Sequence, residues 1–422
     1  MNQFLFKNKI EGIGITEKEK GGVAMKIFKK LLVLSLVGTI LLLGTVPIGF
    51  TAEKEPIKIG IFGPHTGRFA DMGTQALKGA QFAIKEVNAQ GGIDGRQIKL
   101  YEYDDRGDRK EAVSVARKMI EQDKVAAVIA GSVSLTNIAA APVINSLKIP
   151  MVASFSNALN IVKDHPYCFR WCSVGDVQGY VMAHHAVKEK GFKNFALFIQ
   201  DEEYGRGIGN GMEVGLEKFG GKIVYKALYS PGEKEFRSHL THIKSLNPDA
   251  VFISGFAASN VTIAIQGHDL GVFPKAQFYG ACSLSGVDWF SSVGKKGNGA
   301  IGILEFLTGY DPYTKKLAEE WEREFKINYV THETGLTYDA TRLLLDAIKR
   351  GGTNSDKIVK ALMETKGFKN IGGVVVEYTE LREPMLPIAI GSYDDDKKNF
   401  NLIKYVQDKS LIDPRPWYQY YK

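Results

Sequence analysis

Residues 57–105 read IKIGIFGPHTGRFADMGTQALKGAQFAIKEVNAQGGIDGRQIKLYEYDD, and this stretch decides the fold. Isoleucines alternate over residues 57–61 as they do in a β-strand, and a glycine-rich loop follows over residues 63–73. Apolar residues then recur at helical spacing over residues 76–87, before a second strand over residues 98–103. A strand that leads through a helix to another strand predicts a parallel sheet covered by helices.

The same alternation continues along the chain and then starts again. Further strands are predicted over residues 125–130, 149–154, 195–199, 223–228 and 250–254. Further helices are predicted over residues 108–120, 205–219, 236–246, 313–326, 335–349 and 355–365, the first of them opened by a capping-box-like Asp108 and Glu111. The second run begins after Trp171 and matches the first in element order. The sequence therefore predicts the α/β class, with two similar doubly wound parallel-sheet lobes.

The two lobes are expected to be joined by a three-segment hinge. Extended segments that cross between them are predicted at residues 169–174, 301–308 and 373–378. The first lobe then takes residues 53–170 plus 305–373, the second takes 171–304 plus 374–406, and 407–422 form a short C-terminal tail. A chain of this length exceeds the roughly 250–300 residues at which a single core usually divides. Several crossovers make a hinge that closes two lobes around a ligand.

The segment ahead of the first lobe has the pattern of an export signal. Residues 25–52 place lysines before a long apolar run, whereas residues 1–24 have no such pattern and are interpreted as a mis-annotated leader. Ala52 is acceptable as the last residue of the signal, but Phe50 fits poorly where a small residue is preferred. We therefore expect a periplasmic protein, with an uncleaved N-terminal membrane anchor as the alternative.

Composition argues against nucleic-acid binding and against a disulfide framework. The net charge of +7 includes the lysines of the leader, and the other basic residues are scattered along the chain. The three cysteines are Cys168, Cys172 and Cys282. If the first two share a strand, their Cα atoms lie roughly 13 Å apart, too far for a disulfide.

Catalytic and cofactor motifs find no support in the sequence. The loop after the strand at 195–199 offers Gly205 and Gly207, but Asn210 stands where the third glycine of a G-x-G-x-x-G dinucleotide fingerprint is required. No P-loop, G-x-S-x-G or H-E-x-x-H motif is present. The pairs His184/His185 and His239/His242 suggest metal binding as an alternative, but histidines on solvated helix faces are the favoured interpretation. An exported α/β protein without these motifs is expected to be a binding protein rather than an enzyme, with neither cofactor nor metal.

Several spaced motifs carry a resemblance to a known family. They are IKIGIFGPHTGRFADMG, KGAQFAIKEVNAQGGIDGRQIKLYEYDD, AGSVSLT, IPMVASFSNA, QDEEYGRG and LTYDATRLLLDAI. With these motifs the chain resembles the type I periplasmic solute-binding proteins of branched-chain amino acid (Leu/Ile/Val-type) ABC transporters. The resemblance spans roughly residues 57–406. It implies a clamshell that captures a small solute for the membrane permease and ATPase subunits of a transporter.

The resemblance also implies which residues contact the solute. A carboxylate would be held by two loops, which here contain Ser132, Ser134 and Thr136 in one and Ser154, Phe155, Ser156 and Asn157 in the other. Both loops follow buried strands and open helices, where unpaired N–H groups favour an anion. Val133 departs from the pattern, which leaves Ser132 and Ser134 as alternatives for the contacting hydroxyl, and either serine could instead cap a helix.

From the second lobe, Tyr204 and Phe256 are expected to close over the solute, and Cys282 falls where an acidic partner for an ammonium group is expected. That substitution favours a small carboxylate or amide with an apolar or aromatic body over leucine, isoleucine or valine. Asp311 is an alternative source of the missing charge.

Three functional classes remain open at this point. The first is a receptor that delivers a small carboxylate, amide or amino-acid-like ligand to an ABC permease. The second is a ligand-sensing clamshell that acts on a signalling partner, which would be expected to continue into a transmembrane helix and a signalling domain. The third is an exported hydrolase, which would have to turn its ligand over.

Overall fold

The computed structural model describes residues 54–310 and 312–420. The predicted leader, the signal peptide, Asp311 and the last two residues lie outside this part of the chain. Among the described residues, no helix has both the length and the apolar character needed to cross a membrane.

A five-stranded sheet organises the first half of the chain. Its strands are β1 (Ile57–Gly63), β2 (Ile98–Asp104), β3 (Ala127–Ala130), β4 (Met151–Ala153) and β5 (Cys168–Arg170). Their order is β2-β1-β3-β4-β5 and every pairing is parallel. The connecting helices are α1 (Ala70–Ala89), α2 (Arg109–Arg117) and α3 (Ser134–Ser146). As predicted, Asp108 caps α2, since its carboxylate accepts the N–H groups of Lys110 and Glu111.

A seven-stranded sheet organises the second half and repeats the first. Five of its strands are β6 (Asn194–Gln200), β7 (Lys222–Tyr229), β8 (Ala250–Ser254), β9 (Gln277–Gly280) and β10 (Ile301–Leu304). Helix α4 (Gly175–His184) precedes β6, and the helices between the strands are α5 (Glu203–Phe219), α6 (Arg237–Leu246), α7 (Ala257–Asp269) and α8 (Val287–Ser292). The order β7-β6-β8-β9-β10 is parallel and matches that of the first sheet. This repeat confirms the α/β class with two doubly wound lobes.

The remaining elements complete both halves. They are α9 (Pro312–Phe325), α10 (His332–Gly351), α11 (Ser355–Met363), β11 (Phe368–Lys369), β12 (Val375–Tyr378), β13 (Pro384–Met385), β14 (Ile388–Asp394), β15 (Asn399–Val406), α12 (Lys409–Ile412) and α13 (Arg415–Tyr420). Helix α10 lies so close to α1 that a Cβ on Gly79 would stand 2.3 Å from the Thr334 carbonyl oxygen. Strand β14 pairs antiparallel with β10, and β15 pairs antiparallel with β14 at the edge, so the second sheet is mixed rather than purely parallel.

The chain changes sheets three times, after β5, after β10 and before β14, as the three-segment hinge requires. The segment predicted as the third crossover is itself a strand, because β12 pairs with β11 and β13 in a small separate sheet. A buried ion pair joins β5 to the residue just before β13, with Arg170 Nε 2.7 Å from a Glu383 carboxylate oxygen and both side chains fully buried. Arg170 also donates to the Ser156 carbonyl oxygen, which couples the hinge to a predicted ligand loop.

Two local expectations need correction. Cys172 lies beyond the end of β5 rather than on a strand shared with Cys168, and all three cysteines are free, buried thiols. His185 does not lie on a solvated face, because it is 1% exposed and one of its ring nitrogens lies 3.0 Å from the Tyr279 hydroxyl.

Candidate functional site

One wall of a cavity is built where β3 and β4 end. Helix α3 begins at Ser134, its N-cap residue is Val133, and no side chain caps it. Ser134 is buried, its hydroxyl has no hydrogen-bond partner among the described residues, and it lines the cavity together with Val133, Phe155 and Ser156. An uncapped helix N-terminus beside an unpaired hydroxyl is a suitable place for an anionic group.

Three predicted contact residues lie behind this wall and brace it. The Ser132 hydroxyl donates to a carboxylate oxygen of Asp105 at 2.5 Å and lies 2.6 Å from the Thr136 hydroxyl. The Ser154 hydroxyl accepts from Thr337 at 2.8 Å. None of the three lines the cavity, and neither serine of the first loop caps the helix through its side chain. Of the two alternatives for the contacting hydroxyl, the geometry therefore favours Ser134 over Ser132.

The second predicted loop divides between two cavities. Ser156 lines the first cavity, where its hydroxyl donates to the Ser132 carbonyl oxygen and accepts from Asn137 at 2.7 Å. Asn157 instead lines a separate cavity of about 450 Å³, together with Asp176 and other polar residues. Asn157, a predicted contact, thus does not line the cavity that Ser134 and Ser156 line.

The opposite wall comes from elements that follow β6 and β8. Tyr204 lies in the first turn of α5, where the carboxylate of Glu202 accepts the N–H groups of Tyr204 and Gly205. Phe256 precedes α7, and its ring stacks on the Tyr204 ring with centroids 5.1 Å apart and planes 8° apart. Burial raises the pKa of Glu202 to about 7 and raises that of Tyr204 as well. The rings of Tyr204 and Phe256 both line the cavity.

Two contacts join this wall to the first sheet's elements. The ring of Phe69, just before α1, meets the ring of Phe256 edge to face with centroids 5.2 Å apart. Arg109 on α2 forms an ion pair with Glu203 on α5 at 2.5 Å. These contacts hold the two walls together around the cavity.

The remaining wall contains charged side chains that motif reasoning missed. Cys282, predicted as a contact, lines the cavity beside His332 and Glu333, and its Sγ lies 3.5 Å from the Tyr204 hydroxyl. One nitrogen of His332 lies 3.4 Å from a carboxylate oxygen of Glu305. All of these side chains are buried. The His332-Glu333 pair at the start of the helix at 332–351 is the sequence signal that could have found two of them.

Burial and neighbouring charge act in opposite directions on these groups. Burial alone lowers the pKa of His332, but the adjacent Cys282 and Glu305 raise it well above its ordinary value. Burial raises the pKa of Glu333, and the charge of His332 counteracts part of that rise. One Glu333 carboxylate oxygen is buried without a hydrogen bond among the described residues. Glu333 therefore places an acidic group with one unpaired oxygen on the cavity wall. Cys282, at the position where the sequence analysis expected an acid, lines the same cavity.

The cavity itself is small. Its free volume is about 20 Å³, roughly the room that one water molecule needs. A larger surface cavity of about 580 Å³ lies near the end of α10, lined by Arg342, Arg350 and their neighbours. We regard the smaller cavity as the candidate site, because loops that follow the carboxyl ends of strands in both sheets converge there, as at ligand sites of α/β folds.

The fold and the site define a class of protein, the two-lobed α/β clamshells that hold a small solute between their lobes. Residues 56–398 match a protein family described as periplasmic binding protein, and this chain belongs to that family. The match confirms the resemblance predicted from the sequence motifs.

Comparison with individual proteins agrees with this assignment. The Leu/Ile/Val-binding protein homolog 3 of Brucella melitensis is 27% identical over 357 residues, which cover 83% of this chain and 95% of that protein. The isoleucine complex of the branched-chain amino acid transporter binding protein LivJ from Streptococcus pneumoniae has a TM-score of 0.76 at 24% identity, covering 83% of this chain and 99% of that one. A Rhodopseudomonas palustris binding protein in complex with 3,4-dihydroxybenzoic acid has the same TM-score of 0.76 at 21% identity, covering 83% and 97%. At these identities the solved structures establish the fold alone.

Proposed function

We propose that this protein is the extracytoplasmic receptor of an ABC transporter, which captures a small carboxylate, amide or amino-acid-like solute and delivers it to permease and ATPase subunits. The observation that supports it best is the composition of the cavity, whose walls come from both sheets. Ser134 and Ser156 lie on one side, and Tyr204 and Phe256 lie on the other. A solute held between them would link the two lobes, so its binding energy would favour the closed arrangement.

The carboxylate end of the solute is proposed to face the start of α3. There the backbone N–H groups of an uncapped helix and the unpaired hydroxyl of Ser134 supply donors. The N–H end of the solute, an ammonium or an amide, is proposed to face Glu333, whose buried oxygen has no partner among the described residues. Because a buried carboxyl without a hydrogen bond is unfavourable, a donor from the solute would stabilise the closed form.

The apolar part of the solute would contact the aromatic residues of the cavity. Phe155, Tyr204 and Phe256 line it, with Met72 from α1. Since the free volume is only about 20 Å³, entry of any organic solute requires the two walls to separate. The expected motion is opening and closing about the hinge. The backbone angles of the hinge segments change, and each sheet moves as a rigid unit.

The experiment that tests the proposal is identification of the bound solute. Native mass spectrometry of protein purified from its natural host should show one small molecule per chain, and extraction should yield a carboxylate, an amide or an amino acid. Incubation with excess of that compound should return it unchanged, as expected for a receptor and not for a hydrolase. Recovery of a hydrolysed product, or failure to bind any member of a broad carboxylate and amino acid library, would contradict the proposal.

A further inference from the structure

Three side chains of the kind that bind metal ions meet at one end of the cavity. Cys282, Glu305 and His332 each direct one ligand atom into a common space, and all three atoms lie within 4.8 Å of one another. Their exposed fractions are 1%, 1% and 4%. The cluster is therefore buried and is distinct from the acidic groups found on protein surfaces.

The three residues come from different parts of the fold. Cys282 follows β9, Glu305 follows β10, and His332 is the first residue of α10. A nitrogen of His332 lies 3.4 Å from one oxygen of Glu305, and that oxygen has no hydrogen bond among the described residues. Such an oxygen in a buried site needs a compensating cation, which is a protonated His332 in the absence of a metal and the metal ion when His332 is neutral.

The other oxygen of Glu305 is held in place. It accepts from the Gln178 amide at 2.8 Å and from the Ser173 hydroxyl at 3.3 Å. Metal sites commonly have such second hydrogen-bonding partners, which orient a ligating carboxylate and leave its free oxygen directed at the ion. The arrangement around Glu305 has this form.

The chemistry of the ligand set favours zinc over magnesium and calcium. One sulfur, one nitrogen and one carboxylate oxygen are ligands that zinc accepts together in tetrahedral geometry, whereas magnesium and calcium prefer oxygen alone. Cys282 and His332 both line the cavity. An ion held by three protein ligands has a fourth position open, as in zinc sites that bind an exchangeable ligand.

We propose that Cys282, Glu305 and His332 bind a zinc ion whose fourth coordination position opens into the cavity. Binding of the ion does not depend on the receptor function. Occupation of the open position by a polar atom of the solute rests on the proposed function.

The test measures zinc alone, so that its result is independent of the solute. The whole chain is treated with a chelator, dialysed and titrated with zinc by calorimetry. The test variants are Cys282→Ser, Glu305→Gln and His332→Gln. Two control variants are Cys168→Ser, which changes another buried thiol, and His242→Gln, which removes one of the paired histidines of α6.

We expect one zinc ion per chain. Each test variant should weaken binding by about 100-fold or more, and Gln178→Ala, which frees the Glu305 carboxylate, by roughly 10–100-fold. Both controls should bind zinc as the unsubstituted protein does. Absence of zinc binding by the unsubstituted protein, or binding that only His242→Gln removes, would overturn the proposal and leave an ordinary ion pair between Glu305 and His332.

A spectroscopic measurement covers the possibility that a variant fails to fold. Cobalt in place of zinc should give the unsubstituted protein a thiolate-to-metal charge-transfer band in the near ultraviolet, together with the intense visible bands of tetrahedral cobalt. The thiolate band reports Cys282 directly. A cobalt complex without this band would contradict the assignment of Cys282 as a ligand.

Discussion

The rings of Phe69 and Phe256 meet edge to face with centroids 5.2 Å apart, and this contact joins the loop after β1 of one sheet to the loop after β8 of the other. Phe256 in turn stacks on Tyr204. Three aromatic side chains thus form a continuous row across the gap between the two halves. Because the row can form only when the halves are close together, it should stabilise the closed arrangement.

The first prediction concerns this row. Phe69→Ala should weaken binding of the natural solute roughly 3- to 10-fold, since an aromatic pair contributes about 0.5–1.5 kcal/mol beyond its buried area. Arg109→Ala removes a second contact across the gap, but its side chain is 55% exposed, and an exposed ion pair contributes ~0–1 kcal/mol. Isothermal titration of both variants checks the comparison. A larger loss from Arg109→Ala than from Phe69→Ala would show that charge rather than aromatic packing holds the lobes closed.

The second prediction separates two neighbouring serines. Ser134→Ala should weaken solute binding by ~1–2 kcal/mol and leave the melting temperature of the free protein nearly unchanged, because its hydroxyl has no partner among the described residues. Ser132→Ala should lower the melting temperature, because it removes hydrogen bonds to the buried Asp105 and to Thr136. Calorimetry and thermal unfolding of both variants provide the check. If instead Ser132→Ala weakened solute binding and Ser134→Ala lowered the melting temperature, the contacting hydroxyl would be that of Ser132.

The third prediction concerns Glu333. If its carboxylate accepts from an ammonium group, Glu333→Gln should weaken binding of an α-amino acid such as leucine by about 1.5–3 kcal/mol and spare the des-amino analogue. The analogue is the internal control, because it shares every other contact. Equal binding of both compounds to the unsubstituted protein and to the variant would instead support the expectation, based on Cys282, that no ammonium is recognised.

The fourth prediction is a pH dependence of stability that arises from His185. Burial lowers the pKa of this imidazole to about 4, against an ordinary value of 6.5. The unfolded chain therefore takes up a proton below pH 6.5 that the folded protein does not, so this group destabilises the fold progressively as the pH falls from about 6.5 to about 4.

His185→Asn keeps a neutral acceptor for Tyr279 and removes the titrating group. In urea unfolding, the pH slope of the unfolding free energy should become shallower by roughly 1 kcal/mol per pH unit within that window. The same substitution at the exposed His242 is the control. An unchanged slope in His185→Asn would mean that this histidine is protonated in the folded state.

The fold could be predicted from the sequence because strands such as β1, β6 and β8 are short apolar runs that alternate with helices along the chain. The strand predicted at 195–199 extends over Asn194–Gln200, and the helix predicted at 335–349 extends over His332–Gly351. No strand was predicted where β14 and β15 lie, and their antiparallel pairing could not have been predicted either, because the pattern of a single strand does not reveal its pairing direction. The lobe boundaries proposed from the sequence stay a prediction.

The site could be predicted only in part. Motif matching brought Ser134, Phe155, Ser156, Tyr204, Phe256 and Cys282 to one cavity. It could not show that the hydroxyls of Ser132, Thr136 and Ser154 are engaged elsewhere, since such bonds depend on partners from distant segments. Glu305, His332 and Glu333 were missed for the same reason. Glu305 lies near Cys282 because β10 pairs with β9 in the same sheet, whereas His332 and Glu333 approach because the chain returns from β10 to α10 beside the other lobe.

The central claim is that the cavity between the two sheets is the solute site, and one blocking substitution tests it most directly. Ser134→Trp places a large ring where about 20 Å³ is free, whereas Ser146→Trp adds the same ring at the exposed far end of the same helix. Native mass spectrometry of both variants, with folding confirmed by circular dichroism, should show the solute retained by Ser146→Trp and lost from Ser134→Trp. Retention of the same bound molecule by a folded Ser134→Trp protein would contradict the claim and place the solute elsewhere.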